Sequence, residues 1–179
     1  MFPEIERILV SEDEIAKAID DLAERLKEDY AEGDLVLVAV LNGSVVFLAD
    51  LIRKLPLKLT FDVIAASSYG SGTTSSGNVK ILKELSLDVE GRDVLLIDDI
   101  FDTGLTLSAL IHYLKEKNPR SLKSCVLLNK QNPERQSDNH PDYWCLDIEN
   151  EFVVGYGLDY DSRYRNLPYI GVMSGEAGA

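Results

Sequence analysis

Two stretches of the chain are apolar on consecutive residues rather than alternate ones, DLVLVAVL at 34–41 and VLLIDD at 94–99. Successive side chains of a strand point to opposite sides of its sheet, so a strand patterned this way is covered on both faces. Each stretch leads into a short polar turn and then into helical spacing, NGSVVFLADLIRKL at 42–55 and TGLTLSALIHYLKEKNP at 103–119. Strands alternating with helices build βαβ units, and so an α/β fold with a mainly parallel twisted sheet flanked by helices. Further strands are expected at LKLTFDVIAAS (57–67), with Leu59, Phe61 and Val63 alternating, at VKILKEL (79–85) and at SLKSCVLLNK (121–130). One or two short strands are expected after residue 142. An N-terminal helix starts at a capping box, Ser11 with Glu14, continues through Ile15, Ile19, Leu22 and Leu26, and stops at Gly33. No repeat or long linker divides the chain, so residues 1–179 read as one domain. The Gly-, Ser- and Thr-rich run at 69–78 reads as a mobile loop within it.

In parallel sheets of this kind ligands sit beyond the carboxyl ends of the strands. That edge gathers Asn42-Gly43, Ser68-Tyr69, Asp98 to Thr106, and Lys130. The net charge of −13 argues against a nucleic-acid surface, which needs clustered Lys and Arg. Cys125 and Cys145 are too few and too far apart for a disulfide framework or a zinc site. The acidic N-terminus does not resemble a secretory signal, and no apolar run reaches the ~18 residues of a membrane span. A cytoplasmic protein is expected.

The richest of these turns is Asp98 to Thr106. Thr-Gly-x-Thr at a helix start presents backbone N–H groups, two hydroxyls and the positive end of the helix dipole, a combination suited to phosphate. Asp98 and Asp99 are adjacent on an extended chain and point different ways, so one faces the hydroxyls of a sugar, directly or through metal-bound water. Asp102 stands in the turn, where a carboxylate either accepts a proton or caps the helix. The GxxxxGK[ST] phosphate loop and the GxGxxG dinucleotide fingerprint are both missing.

VLLIDDIFDTGLTL at 94–107 resembles the phosphoribosyl pyrophosphate (PRPP) signature of the type I phosphoribosyltransferases. Within that family the chain is similar to the hypoxanthine–guanine phosphoribosyltransferases over nearly its whole length. SSY before the Gly/Ser/Thr loop, LLNK at 127–130, and EFVVGYGLDYDSRYRNLPYIGV at 151–172 carry the likeness. The resemblance implies the type I fold, a core sheet with a small hood formed by terminal segments. It implies transfer of a 5-phosphoribosyl group from PRPP to hypoxanthine, and to guanine, with Mg²⁺ as cofactor and a homodimer or homotetramer as the assembly.

Its residue roles follow the matched positions. Asp98 and Asp99 hold the ribose hydroxyls, with metal-bound water between. Asp102, Thr103, Gly104, Leu105 and Thr106 receive the 5′-phosphate, and Asp102 is the general acid–base group near N7 of the purine. Asn42 and Gly43, with Arg165, bind pyrophosphate. Lys130 donates to O6 of the base, Phe152 stacks on it, and Val153 contacts it through its backbone. Asp159 belongs to the purine site and coordinates a second Mg²⁺. Ser68 and Tyr69 begin the loop that closes over the site. The chain departs from relatives at Leu105, where Lys or Arg is common, and at Asn42, where Lys is common and often follows a cis peptide. Competing readings are a PRPP-sensing regulatory protein that binds nucleic acid, and a xanthine-preferring or pyrimidine-operon-type phosphoribosyltransferase. Lys130 and Phe152-Val153 favour a 6-oxopurine, because an ammonium only donates.

Overall fold

The computed structural model describes residues 2–68, 79–136 and 139–174. Its main sheet is six-stranded and built from β2 (Leu35–Leu41), β3 (Leu59–Ser68), β4 (Val79–Lys83), β5 (Asp93–Phe101), β6 (Ser121–Lys130) and β7 (Tyr143–Ile148). The spatial order is β4-β3-β2-β5-β6-β7, parallel throughout except for β4, which pairs antiparallel with β3. The unbroken apolar runs have the meaning expected of them. Leu35, Leu37 and Ala39 of β2 face one core with Leu95 and Ile97 of β5, while Val36, Val38, Val94 and Leu96 face the other.

Helices α1 (Glu12–Asp29) and α2 (Val45–Lys54) supply Ile15, Ile19, Leu22, Leu26, Phe47 and Leu51 to the first core. Helix α3 (Leu105–Lys115) covers the opposite face with Leu107, Leu110 and Leu114. Both terminal segments form the hood. There β1 (Ile5–Val10) pairs antiparallel with β9 (Ile170–Met173), which pairs with β8 (Val153–Val154). Ile5, Val154, Leu167 and Met173 make its small core.

The capping box forms as expected, with Ser11 N–H donating to Glu14 at 2.8 Å and Glu14 N–H donating to Ser11 Oγ at 3.3 Å. Four details differ from the sequence reading. α1 ends at Asp29 with Tyr30 as its cap, and Gly33 belongs to the following turn, where its N–H bonds the Tyr30 carbonyl. β5 runs on to Phe101, so Asp98 and Asp99 lie within the strand and not after it. After residue 142 the described chain carries three strands, one of which, β7, extends the main sheet. Phe61 is 51% exposed, whereas Asp62 next to it is buried. β4 pairs only with Ala65 to Ser68, so the first half of β3 is a sheet edge with incomplete cover.

Asp62 has a structural task. One of its oxygens accepts Ser86 N–H at 2.5 Å and Leu87 N–H at 2.8 Å, and the other accepts Val63 N–H at 2.7 Å. Burial pushes its carboxyl up, but these backbone donors outweigh burial and hold it below the usual carboxylate value. A depressed folded-state pKa contributes stability above the unfolded value, and that stability is lost as pH falls through the folded value. Asp62→Asn is therefore expected to cost about 2 kcal/mol at neutral pH. The penalty shrinks in urea unfolding near about pH 3. An equal penalty at both pH values contradicts the role.

Candidate active site

The strand order reverses between β2 and β5. From β2 the chain crosses to β3 on one side, while β5 and β6 lie on the other. α2 leaves β2 over one face and α3 leaves β5 over the opposite face, so the two connections part and open a crevice. A cleft of about 290 Å³ lies there. β2 and its turn line it with Val40, Leu41 and Gly43; β5 and its turn line it with Asp98, Asp99, Asp102, Thr103, Gly104 and Thr106. Asp159 and Arg165 close it from the C-terminal segment.

Two helix N-termini meet this crevice, and both differ from α1. The first turn of α1 carries Glu12, Asp13 and Glu14 and is capped by its own Ser11. α2 and α3 have no acidic residue in the first turn and no side-chain cap. Ser44, ahead of α2, donates its hydroxyl to the Val40 carbonyl at 2.6 Å instead. Gly104, ahead of α3, takes φ +81°, and the first helical bond is Ser108 N–H to Gly104 O. The N–H groups of Leu105, Thr106 and Leu107 therefore have no acceptor within the helix. In a chain with 31 acidic residues, two helix starts without acids leave the positive ends of both helix dipoles uncompensated, as suits an anion. Leu105 lies outside the cleft lining.

Asp98 is buried, and its Oδ1 accepts Asp99 N–H at 3.0 Å. Burial, together with the neighbouring Asp99 charge, pushes the Asp98 carboxyl well above the usual carboxylate range, and burial pushes Asp99 up as well. Two such carboxyls invite a cation. The Asp99 carboxylate lies against Gly43, where an added Cβ would come within 1.6 Å of Oδ2. The peptide bond before Asn42 is cis, as it often is in the family the sequence resembles. The exposed Asn42 side chain does not line the cleft.

The C-terminal segment folds back through Gly157, whose N–H donates to Arg165 O at 2.9 Å. Arg165 donates in return to Gly157 O at 2.6 Å and pairs with Asp159 at 2.6 Å. Asp159 also accepts Ser162 N–H at 2.8 Å.

At the other end of the cleft Lys130 Nζ donates to Asp102 Oδ2 at 3.1 Å, with only 12% of the lysine side chain exposed. Phe152 is 48% exposed and meets Tyr160 edge to face at 5.7 Å. Met173 N–H donates to Phe152 O, which makes Val153 and Val172 a non-hydrogen-bonded pair. The peptide N–H and C=O of Val153, on edge strand β8, therefore point away from β9. Ser68 ends β3, and Tyr69 with the rest of the expected closing loop falls outside the described residues.

Asn132 is a residue of this region that the sequence reading passed over. Its Nδ2 donates to Asp102 Oδ1. The signal was present in Asn132-Pro133, a dipeptide that marks a turn shortly after Lys130. Cys125 and Cys145 are free, and burial pushes both thiols up, Cys145 to about 12.

The phosphoribosyl transferase domain family matches residues 8–161. A hypoxanthine-guanine phosphoribosyltransferase of Streptococcus thermophilus is 47% identical over 174 residues, covering 97% of this chain and 96% of that protein. One from Mycobacterium tuberculosis is 48% identical over 177 residues, covering 95% and 87%. The crystal structure of a hypoxanthine phosphoribosyltransferase from Staphylococcus aureus superposes with a TM-score of 0.94 at 40% identity, covering 98% of this chain and 95% of that one. With its switch-point cleft, its two open helix starts and likeness along nearly its full length, the chain belongs to the phosphoribosyl transferase domain family.

Proposed function

We propose that the protein joins hypoxanthine, and guanine, to PRPP, forming the nucleoside 5′-monophosphate and pyrophosphate. The observation that carries this reading is the pair of uncapped, non-acidic helix starts on either side of the switch point, with the Asp102–Lys130 pair at one end of the same cleft. The N–H groups and hydroxyls from Thr103 to Thr106 take the 5′-phosphate. Gly43 offers its peptide to the pyrophosphate on the α2 side, with Asn42 contributing backbone only, and Arg165 supplies the nearby positive charge.

Asp98 and Asp99 face the ribose hydroxyls. Mg²⁺ fits the Asp98–Asp99 pair, because two neighbouring carboxyls that resist ionising together gain from a hard cation; Asp159, which lines the same cleft, is left for a second Mg²⁺ on the pyrophosphate side. Among the described residues no group of three or more His, Cys, Asp or Glu is placed to hold a metal ion by itself. Mg²⁺ binds through one or two carboxylates plus substrate phosphates and needs no such group. When bound, it neutralises the phosphate charge.

The purine lies between Phe152 and the Val153 backbone, with Lys130 donating to O6. In the reaction a bond forms between the base nitrogen and C1 of the ribose as the bond from C1 to the pyrophosphate oxygen breaks. The proton the base loses passes to Asp102. The Lys130 ammonium has no lone pair to accept adenine's amino group, so a 6-oxo base is preferred.

The test is nucleotide formation from PRPP and Mg²⁺ with hypoxanthine, guanine, xanthine and adenine in separate reactions. Hypoxanthine and guanine are expected to react and adenine not; no product from any 6-oxopurine refutes the proposal. Lys130→Ala is expected to raise KM for hypoxanthine about tenfold or more while KM for PRPP changes less than about threefold. Equal losses for both substrates contradict the base-reading role. A homodimer or homotetramer belongs to the same reading and is checked by light scattering.

A further inference from the structure

We infer that Asn132 is the positioning residue for Asp102, fixing the orientation of the carboxylate that the base must meet; this rests on the function proposed above. Lys130 and Asn132 grip different oxygens of the same group, Nζ on Oδ2 at 3.1 Å and Nδ2 on Oδ1. A carboxylate rotates easily about its last bond, and one donor leaves that rotation open. Two donors from separate directions close it. Each oxygen keeps a further lone pair, so the carboxylate remains able to accept a proton from the base.

Asn132 is itself held. Its Oδ1 accepts Glu134 N–H at 2.8 Å, which leaves the amide NH₂ turned towards Asp102. The segment that carries it is tied at two more points. Gln136 N–H donates to Thr103 O at 3.0 Å, so the far end of the segment is bonded to the phosphate turn. Arg135 donates to the Lys130 carbonyl and to Asn129 Oδ1 at 3.1 Å, and its guanidinium lies 4.6 Å over the Phe101 ring. Phe101 ends β5 immediately before Asp102. The segment from Gln131 to Gln136 thus links the base lysine, the carboxylate and the phosphate turn.

This arrangement predicts a selective defect. Asn132→Asp keeps the oxygen that accepts Glu134 N–H, and so keeps the turn, but replaces the donor facing Asp102 with a second carboxylate that repels it. It is expected to lower kcat with hypoxanthine about tenfold or more while KM for PRPP changes less than about threefold. Asn132→Ala loses donor and turn together and serves as the comparison. A merely structural role reverses the order, with Asn132→Asp near wild-type kcat and Asn132→Ala impaired, and that result overturns the inference.

A second readout stands apart from turnover. The side-chain amide resonance of Asn132 in a ¹H–¹⁵N spectrum of the free protein is expected to shift in Asp102→Asn. An unmoved resonance overturns the inference even if the protein makes no nucleotide. Failure of the parent reading shows separately, as a wild-type protein that forms no product from any 6-oxopurine.

Discussion

Replacing Asp102 by asparagine is expected to lower turnover with hypoxanthine by roughly 10²–10⁴-fold, the usual worth of a positioned acid–base group. The exchange is nearly isosteric. Asparagine retains one oxygen to accept from Lys130 but sets its NH₂ against the Asn132 amide, so one of the two grips on the group is lost. It also loses the capacity to take the proton that the purine must shed. PRPP binding should change less than about threefold, because the N–H groups of α3 and the carboxyls of Asp98 and Asp99 are untouched. Single-turnover kinetics beside a PRPP titration separate the two effects. Turnover close to wild type places the proton transfer elsewhere, and an equal fall in PRPP affinity makes Asp102 a binding residue.

The second large effect is structural in origin and functional in outcome. Gly157 has φ +101°, a conformation that side chains rarely adopt, and an added Cβ would come within 2.0 Å of the Gly43 carbonyl oxygen. That oxygen belongs to backbone, not to the end of a flexible side chain. Gly43 is also packed against the Asp99 carboxylate. Gly157→Ala therefore displaces the turn at the start of α2 and the carboxylate behind it. The expected cost is about 3 kcal/mol of stability, from backbone strain and overpacking combined.

PRPP affinity should fall about tenfold or more in the same variant, as misplaced donors and charges lose their bonds. Gly91→Ala is the control. Its φ is +68° with nothing within 4 Å of the added Cβ, so it carries the backbone penalty alone, about 1 kcal/mol, and leaves PRPP affinity unchanged. Thermal unfolding and KM for PRPP, measured on both variants, decide the matter. Equal behaviour of the two variants contradicts the close packing of Gly43 and Gly157 as the cause.

Much of this arrangement was legible along the chain. Consecutive apolar residues in β2 and β5 mean burial on two faces, and helical spacing after each means a crossover; together they fix a parallel sheet and the edge at which ligands meet it. The spacing from Asp98 to Thr106 is local, and its helix start formed where the spacing put it. Long-range features were harder to read. β1 is a strand because β9 lies beside it, and nothing in IERILV announces a partner more than 150 residues away. Asp62 looked like the outward residue of an alternating strand, and its burial depends on the N–H groups of Ser86 and Leu87, which no local pattern displays. Asp102 and Asn132 are 30 residues apart, and their contact follows from how β6 lies beside β5.

The most direct measurement is a crystal structure of the protein with inosine 5′-monophosphate. The 5′-phosphate should sit on the N–H groups of Gly104 to Thr106, with O6 on Lys130 Nζ, the purine against Phe152, and N7 within hydrogen-bond distance of Asp102. A nucleotide whose phosphate avoids the start of α3, or whose O6 points away from Lys130, contradicts the division of the cleft proposed here.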